Sequence, residues 1–264
     1  GYRSRPVEAC PECGSMDVGY SGFGTERIEE EIQRLFPDLT VRRVDTDSVR
    51  NKQRLKEILN DFYAGRVDIL LGTQMVAKGL NFPGVKLVGI ISADTGLQLP
   101  DFRAAERTFD LIVQVSGRAG RFHPDGKVLV QTYLPENETI HLAARADLDA
   151  FYNKELAARK ALGFPPFTRL IRLVFRARSS AKSRSAAADF ARSVEAADPE
   201  PSGVEGLGPA ECPLAGIAGT HRNHLIFRSR RFRELHSLVR RSLERFQGPA
   251  GVYVEVDVDP VSLL

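Results

Sequence analysis

Apolar residues recur along residues 17–135 with two alternating periods, one helical and one suited to strands. Ile28, Ile32, Leu35 and Phe36 stand at helical spacing behind Thr25, which has the chemistry of an N-cap, and Pro37 stops the run. Residues 40–44 read as a strand. Leu55, Ile58, Leu59 and Phe62 mark a second helix that ends at Gly65. The apolar runs 69–71 and 86–91 suit buried parallel strands, residues 104–117 a helix, and 127–133 a further strand. Strand and helix in that alternation predict a parallel sheet covered by helices. On such sheets ligands bind at the loops leaving the strand carboxyl ends.

The pattern changes after residue 135. Two helical stretches fill 139–162, and Pro165-Pro166 interrupts them. Then follow a strand (168–176), a helix (181–197), a strand (204–207), a strand (223–227), a helix (232–246) and a strand (252–257). This βαββαβ order is the split-βαβ, ferredoxin-like arrangement and defines a second, α+β domain. The Gly-, Pro- and Ala-rich residues 208–220 read as an excursion between its two central strands.

Composition limits the function classes. A chain of 264 residues with 42% hydrophobic and 27% charged positions is ordinary globular protein with room for two cores. It has neither a long apolar run nor a signal-peptide pattern, so the expectation is a cytoplasmic protein with no membrane association. The net charge of +3 says little about partners, but residues 221–245 carry eight arginines against two acids, Glu234 and Glu244. That run is either a nucleic-acid footprint or a solvated face. Two of the three cysteines form Cys10-Pro-Glu-Cys13-Gly14. This is the turn of a zinc knuckle that supplies half of a four-ligand site, or else a free dithiol. Cys212 is remote from it in sequence.

Three segments carry candidate chemistry. Gly72 to Pro83 leaves a strand with Thr73, Gln74 and Lys78 as donors around Gly79, which suits a phosphate backbone or a ribose, or is an ordinary polar loop. Asp94 ends an apolar strand as a magnesium-binding acid does, but G-x-x-x-x-G-K-[ST] occurs nowhere, so Asp94 is expected to be a loop or capping residue. Gln114, Gly117, Arg118 and Arg121 fall at i, i+3, i+4 and i+7 on one helical row. Arginine forks match phosphate oxygens, and two on a glycine-punctuated turn can clamp a transferring phosphoryl group. The alternative is a basic helix end interacting with its own dipole.

Thr73-Gln-Met75, Lys78-Gly79, Phe82-Pro83, Asp101-Phe-Arg-Ala-Ala-Glu106 and Gln114 to Arg121, in this order, resemble the primosomal protein N′ family of replication-restart helicases in superfamily 2. Gly22-Phe-Gly24-Thr25-Glu26 and Asp257-Val-Asp-Pro260 fit the same family. The resemblance implies part of an ATP-dependent 3′-to-5′ DNA helicase that recognises stalled or abandoned forks and starts primosome assembly. The chain then comprises the remnant of a zinc-binding insertion (1–16), a second RecA-like helicase lobe (17–137), a helical connector (138–164) and a DNA-binding domain (165–264). Cys10 and Cys13 become zinc ligands, the remaining ligands lying upstream. Gln114, Arg118 and Arg121, with Gly117, match the motif that stabilises charge on ATP, whose phosphates and Mg2+ are held mainly by the absent first lobe; this chain alone is expected to be inactive. Lys78 and Gly79 belong to the motif coupling nucleotide state to DNA, with Thr73 and Gln74 on the DNA strand. Arg222, Arg228, Arg230 and Arg231 are the implied phosphate contacts. The implied partners are branched and single-stranded DNA, single-stranded DNA-binding protein and other primosome proteins. A non-catalytic DNA-binding assembly factor with a degenerate core is the alternative.

Overall fold

A computed structural model describes residues 25–44, 51–73, 82, 84–119, 125–197 and 203–264, with Arg118 and Ala197 as backbone alone. The chain forms two compact units. One takes the described residues up to Ser92 together with Asp110–Gln131, and the other takes Ala93–Phe109 and Thr132–Leu264. No helix among the described residues is long and apolar enough to cross a membrane.

The first unit contains α1 (Thr25–Leu35), β1 (Val41–Val44), α2 (Lys52–Tyr63), β2 (Ile69–Gly72), β3 (Leu87–Ile90), β4 (Lys127–Val130) and the later turns of α4 (Ala104–Ala119). Asn51 caps α2 by accepting from Arg54 N at 3.1 Å, and Gly65 follows its end at φ +69°. Its strands pair in parallel, β1 with β2 from Val41↔Ile69 and β3 with β4 from Leu87↔Lys127. The sequence predicts one parallel sheet, whereas the described residues form two separate two-stranded sheets. Leu87 and Leu129 face outward where a continuous covered sheet buries both faces. The core of this unit is Val41, Val44, Ile58, Val67, Ile90 and Ile112. Phe82 is buried too, its ring edge-on to Phe62 at 4.9 Å.

The second unit contains α3 (Asp94–Leu97), the first turns of α4, α5 (Glu138–Ala144) and α6 (Leu148–Leu162). These are followed by β5 (Arg169–Ala177), α7 (Ser180–Ala197), β6 (Val204–Ile217), β7 (Thr220–Ser229), α8 (Phe232–Arg245) and β8 (Val252–Val258). Asn137 and Asp147 cap α5 and α6, and Gly163 closes α6 in the left-handed region at φ +66°. The last four strands make one antiparallel sheet in the order β6-β7-β5-β8. Alternation along β5 sends Ile171, Leu173 and Phe175 to the face covered by α7 and α8, where Phe190, Leu235, Leu238 and Val239 meet them. The opposite face holds Leu170 and Ile226, packed with Leu263, Phe102 and Phe164.

Residues 208–217 are strand, not the excursion that their glycine and proline content predicts. They continue β6 alongside β7 through register shifts between Leu207 and Ala210 and between Glu211 and Gly216. Gly208 sits at φ +104°, and a Cβ there would lie 2.9 Å from the His224 carbonyl oxygen. The glycine therefore marks a bulge where two backbones approach, not a turn.

Phe190 is the centre of the sheet-to-helix core, with its ring 5.7 Å from Phe175, 6.3 Å from Phe227 and 5.2 Å from Phe246. Phe190→Ala is expected to lower the unfolding free energy by about 3–5 kcal/mol, measured by urea denaturation; a loss below about 1 kcal/mol shows that the cavity collapses without cost.

Candidate functional site

Helix α4 is a long amphipathic segment whose buried side includes Thr108, Phe109, Ile112 and Ala119. Gln114 and Gly117 lie on its exposed side, and the backbone remains helical through Arg118. A Cβ on Gly117 would meet nothing within 4 Å, so the described packing does not require glycine there. Glycine inside a helix is less favourable than alanine by about 1 kcal/mol. Thr73 is exposed just beyond β2. The Arg118 side chain, Arg121, Gln74, Lys78, Gly79, Cys10 and Cys13 lie outside the described residues.

The segment ahead of α4 is a hydrogen-bonded anchor. The Asp101 side chain has no exposed surface and accepts from Arg103 N, Leu263 N and Ser262 Oγ, each at 2.9 Å, and from Arg107 Nη1 at 3.1 Å. Burial by itself raises the Asp101 carboxyl, but those donors outweigh it and hold the group below the usual carboxylate range. Arg107 Nη2 also donates to the Val261 carbonyl at 2.6 Å. Glu106 binds Arg103 and, at 2.5 Å, Arg159 of α6, which also reaches Glu155 at 2.9 Å. Burial again opposes the charge on Glu106, and the two guanidinium groups prevail. Arg159 lies 5.2 Å over the Phe102 ring, and Phe102 stacks on Phe164. Arg103 and Glu106 thus have an architectural role within this unit. Asp94 has one as well: it is buried at the start of α3 and accepts from Thr132 Oγ1 at 2.7 Å and Tyr133 N at 2.9 Å.

The arginines of residues 221–245 divide into two groups. Arg222 is buried and donates to the Leu214 carbonyl at 3.3 Å. Arg228 forks onto Glu205 at 2.8 and 2.9 Å and donates to the carbonyls of Leu162 and Gly163. Arg231 pairs with Glu234 at 2.7 Å, and Arg240 with Glu244 at 2.9 Å. Arg230, Arg233, Arg241 and Arg245 are exposed and form no ion pair among the described residues. Three of these stand on α8, and Arg233, Arg241 and Arg245 follow one another in four-residue steps through Ser237. Leu235, Leu238, Val239 and Ser242 point the opposite way, into the core.

Beneath the sheet, Arg172 is buried and donates from Nε to His224 Nδ1 at 3.2 Å, from Nη2 to Cys212 Sγ at 3.6 Å and from Nη1 to the Leu264 carbonyl at 3.1 Å. Burial, then the charges of Arg172 and Arg222, push His224 down to about 4, so it is a neutral acceptor near neutral pH. Burial also raises the Cys212 thiol. A divalent cation is repelled by two neighbouring guanidinium groups, so Cys212 does not suit the missing half of a zinc site.

Residues 23–123 match the family model of the helicase conserved C-terminal domain, and residues 160–261 that of the primosomal protein N C-terminal domain. The replication restart protein PriA of Treponema pallidum (strain Nichols) is 48% identical over 264 residues, covering all of this chain and 40% of its own length. The chain belongs to the PriA family. PriA of Borreliella burgdorferi is 35% identical over the whole chain and 39% of its own length, and PriA of Bacillus subtilis (strain 168) is 37% identical over the whole chain and 33% of its own length. The chain thus spans 40% or less of these PriA relatives. In this PriA-family chain the residues that sequence reasoning missed are Asp101, Arg107, Arg159, Arg172 and His224. The contacts by which they join separate elements span long stretches of chain, Asp101 and Leu263 being 162 residues apart, so local spacing does not signal those contacts.

The state of His224 has a pH signature. Its folded proton affinity lies below that of the unfolded chain, which protonates near pH 6.5. The stability it confers is therefore complete above about pH 6.5 and declines as pH falls towards about 4. His224→Asn keeps an acceptor for Arg172 and is expected to flatten the decline of the urea midpoint between about pH 6.5 and about pH 5. An unchanged slope means that the histidine titrates normally in the fold.

Proposed function

We propose that this PriA-family chain supplies the second, RecA-like lobe and a ferredoxin-like DNA-binding domain of an ATP-dependent 3′-to-5′ DNA helicase. The whole protein recognises stalled or abandoned replication forks and begins primosome assembly, with branched and single-stranded DNA, single-stranded DNA-binding protein and other primosome proteins as partners. The observation that carries the reading is α4, which carries Gln114, Gly117 and Arg118 on one helical row, with Gln114 and Gly117 exposed, inside a segment matched by the helicase domain. Gly117 supports it further, since a costly helical glycine without a packing reason leaves room for close approach of a ligand.

In this reading Arg118 and Arg121 stabilise negative charge on the phosphoryl group of ATP, and Gln114 orients the reacting groups. The nucleotide and Mg2+ are held by another part of the protein, because the chain contains no phosphate loop. Thr73 and Gln74 meet the DNA strand, and Lys78 and Gly79 relay nucleotide state to it. Cys10 and Cys13 supply two thiolates to a structural zinc, a donor set that fits half a tetrahedral site. In the second domain, phosphate contacts come from Arg230 and Arg231 with Arg233, Arg241 and Arg245, which stand outward. Arg222 and Arg228 have their donors engaged within the protein and shape the strand beneath.

Arginine fingers contribute roughly 10³–10⁵ in rate. Arg118→Ala in the full-length protein is expected to lower DNA-stimulated ATP turnover by at least about 10³-fold with fork affinity within about twofold. Unchanged turnover rejects the finger, whereas no DNA-stimulated turnover in the unaltered full-length protein favours a non-catalytic primosome-assembly factor.

The basic row has its own measurement. Each phosphate neutralised on duplex DNA contributes about 0.9 to the slope of log affinity against log salt. Arg233→Ala combined with Arg241→Ala is therefore expected to reduce that slope by roughly 1.8. If the double variant keeps the wild-type slope, α8 does not touch phosphates.

A further inference from the structure

We propose that the outer edge of β8 and the apolar groove beside it dock an extended segment of a partner protein, one in which apolar residues alternate with basic ones. The proposal uses none of the residues assigned above to ATP or to DNA phosphates. Its basis is a sheet whose helical cover is incomplete. The register pairs Ile171 with Val258, Leu173 with Val256 and Phe175 with Val254, so these valines share the helix-facing side of the sheet. Val252 and Val254 pack against the core there, whereas Val256 is 49% exposed and Val258 45%. Between that end of β8 and α8 lies a groove of about 370 Å³ whose apolar lining is Ile171, Val239, Leu243, Val256 and Val258. Val239 and Leu243, one helical turn apart, form its helix wall. The polar lining is His236 with Arg240 and Glu244, which pair with each other at 2.9 Å.

An edge of this kind takes an added strand. As the outer member of the order β6-β7-β5-β8, β8 bonds to β5 on one side only, so every second amide and carbonyl points outward. A strand laid along it gains main-chain hydrogen bonds, and its alternate side chains enter the groove.

Charge decides which strand. The side of β8 away from the groove carries Tyr253, Glu255 and Asp257. Glu255 is held by Arg176, whereas Asp257 is exposed and has no ion pair among the described residues. Arg172, the register partner of Asp257 on β5, gives its donors to His224, Cys212 and Leu264 instead. A second copy of the chain is disfavoured, because antiparallel β8–β8 pairing with both grooves on one side sets these acids against acids. Basic residues opposite Glu255 and Asp257 remove that conflict, and the apolar residues between them fill the groove.

The test uses the full-length protein and three labelled peptides of about ten residues. One alternates valine with lysine, one alternates valine with glutamate, and one carries the same valines and lysines in two blocks. Affinity is read by fluorescence anisotropy, and backbone hydrogen exchange by mass spectrometry. The alternating valine–lysine peptide is expected to bind at least about tenfold more tightly than either control, and to abolish exchange at alternate amides of Val252–Val258. Asp257→Lys is expected to shrink the preference for lysine over glutamate peptide by about tenfold. Val256→Thr, which sets a hydroxyl in the groove, is expected to weaken binding by about threefold or more. Both side chains are open to solvent, so neither variant is expected to lower the melting temperature. Equal binding of all three peptides, or unchanged exchange in β8, overturns the proposal. Protection of Val252–Val258 before any peptide is added also overturns it. Protection that rises with protein concentration assigns the edge to a second copy, and protection that does not assigns it to another part of the same protein.

Discussion

The carboxylate of Asp101 is withdrawn from water and still charged, and the architecture around it follows from that condition. An anion is stable out of water only when nearly every lone pair has a donor. Here the donors come from the backbone two residues ahead, from the first turn of α4 and from Ser262 and Leu263. Satisfying one side chain thus dictates the course of three stretches of chain. Deleting the carboxylate would leave Leu263 N without its acceptor and Arg107 with the Val261 carbonyl but no counter-charge, a greater loss than the hydrogen bonds themselves.

Local pattern is enough for the parts of the fold that rest on periodicity. The apolar alternation of β5 and the helical spacing of Leu235, Leu238 and Val239 identify elements that the structure contains within a residue or two of their expected bounds. Residues 208–217 are not legible in this way. Glycine and proline favour turns in most contexts, and only the cross-strand approach of the His224 carbonyl shows that Gly208 serves a bulge. The candidate site divides along the same line. The row from Gln114 to Arg118 is a matter of spacing, and Glu106 lies one turn from Arg103. The bond from Glu106 to Arg159 spans 53 residues, and spacing carries no trace of it.

The arginine run illustrates why composition is a coarse guide to function. Eight identical charges within 25 residues look like one surface, yet the fold assigns them different tasks. Those on β7 whose side chains turn into the structure bind carbonyls and Glu205. Those on the outward row of α8 keep their donors for solvent or for a ligand. The difference is one of direction from the backbone, which a strand alternates every residue and a helix repeats every three or four.

Strand β8 closes the sheet as its outer member, with Val256 and Val258 about half exposed. An open edge with apolar side chains is a template for pairing with another chain. Glu255 and Asp257 alternate with those valines along the strand, and no proline or bulge interrupts it. The edge is therefore protected by charge rather than by shape. Such protection is screened within about 8 Å at physiological ionic strength, which ties the colloidal behaviour of this domain to the same variable that would govern the phosphate contacts proposed for its α8 arginines.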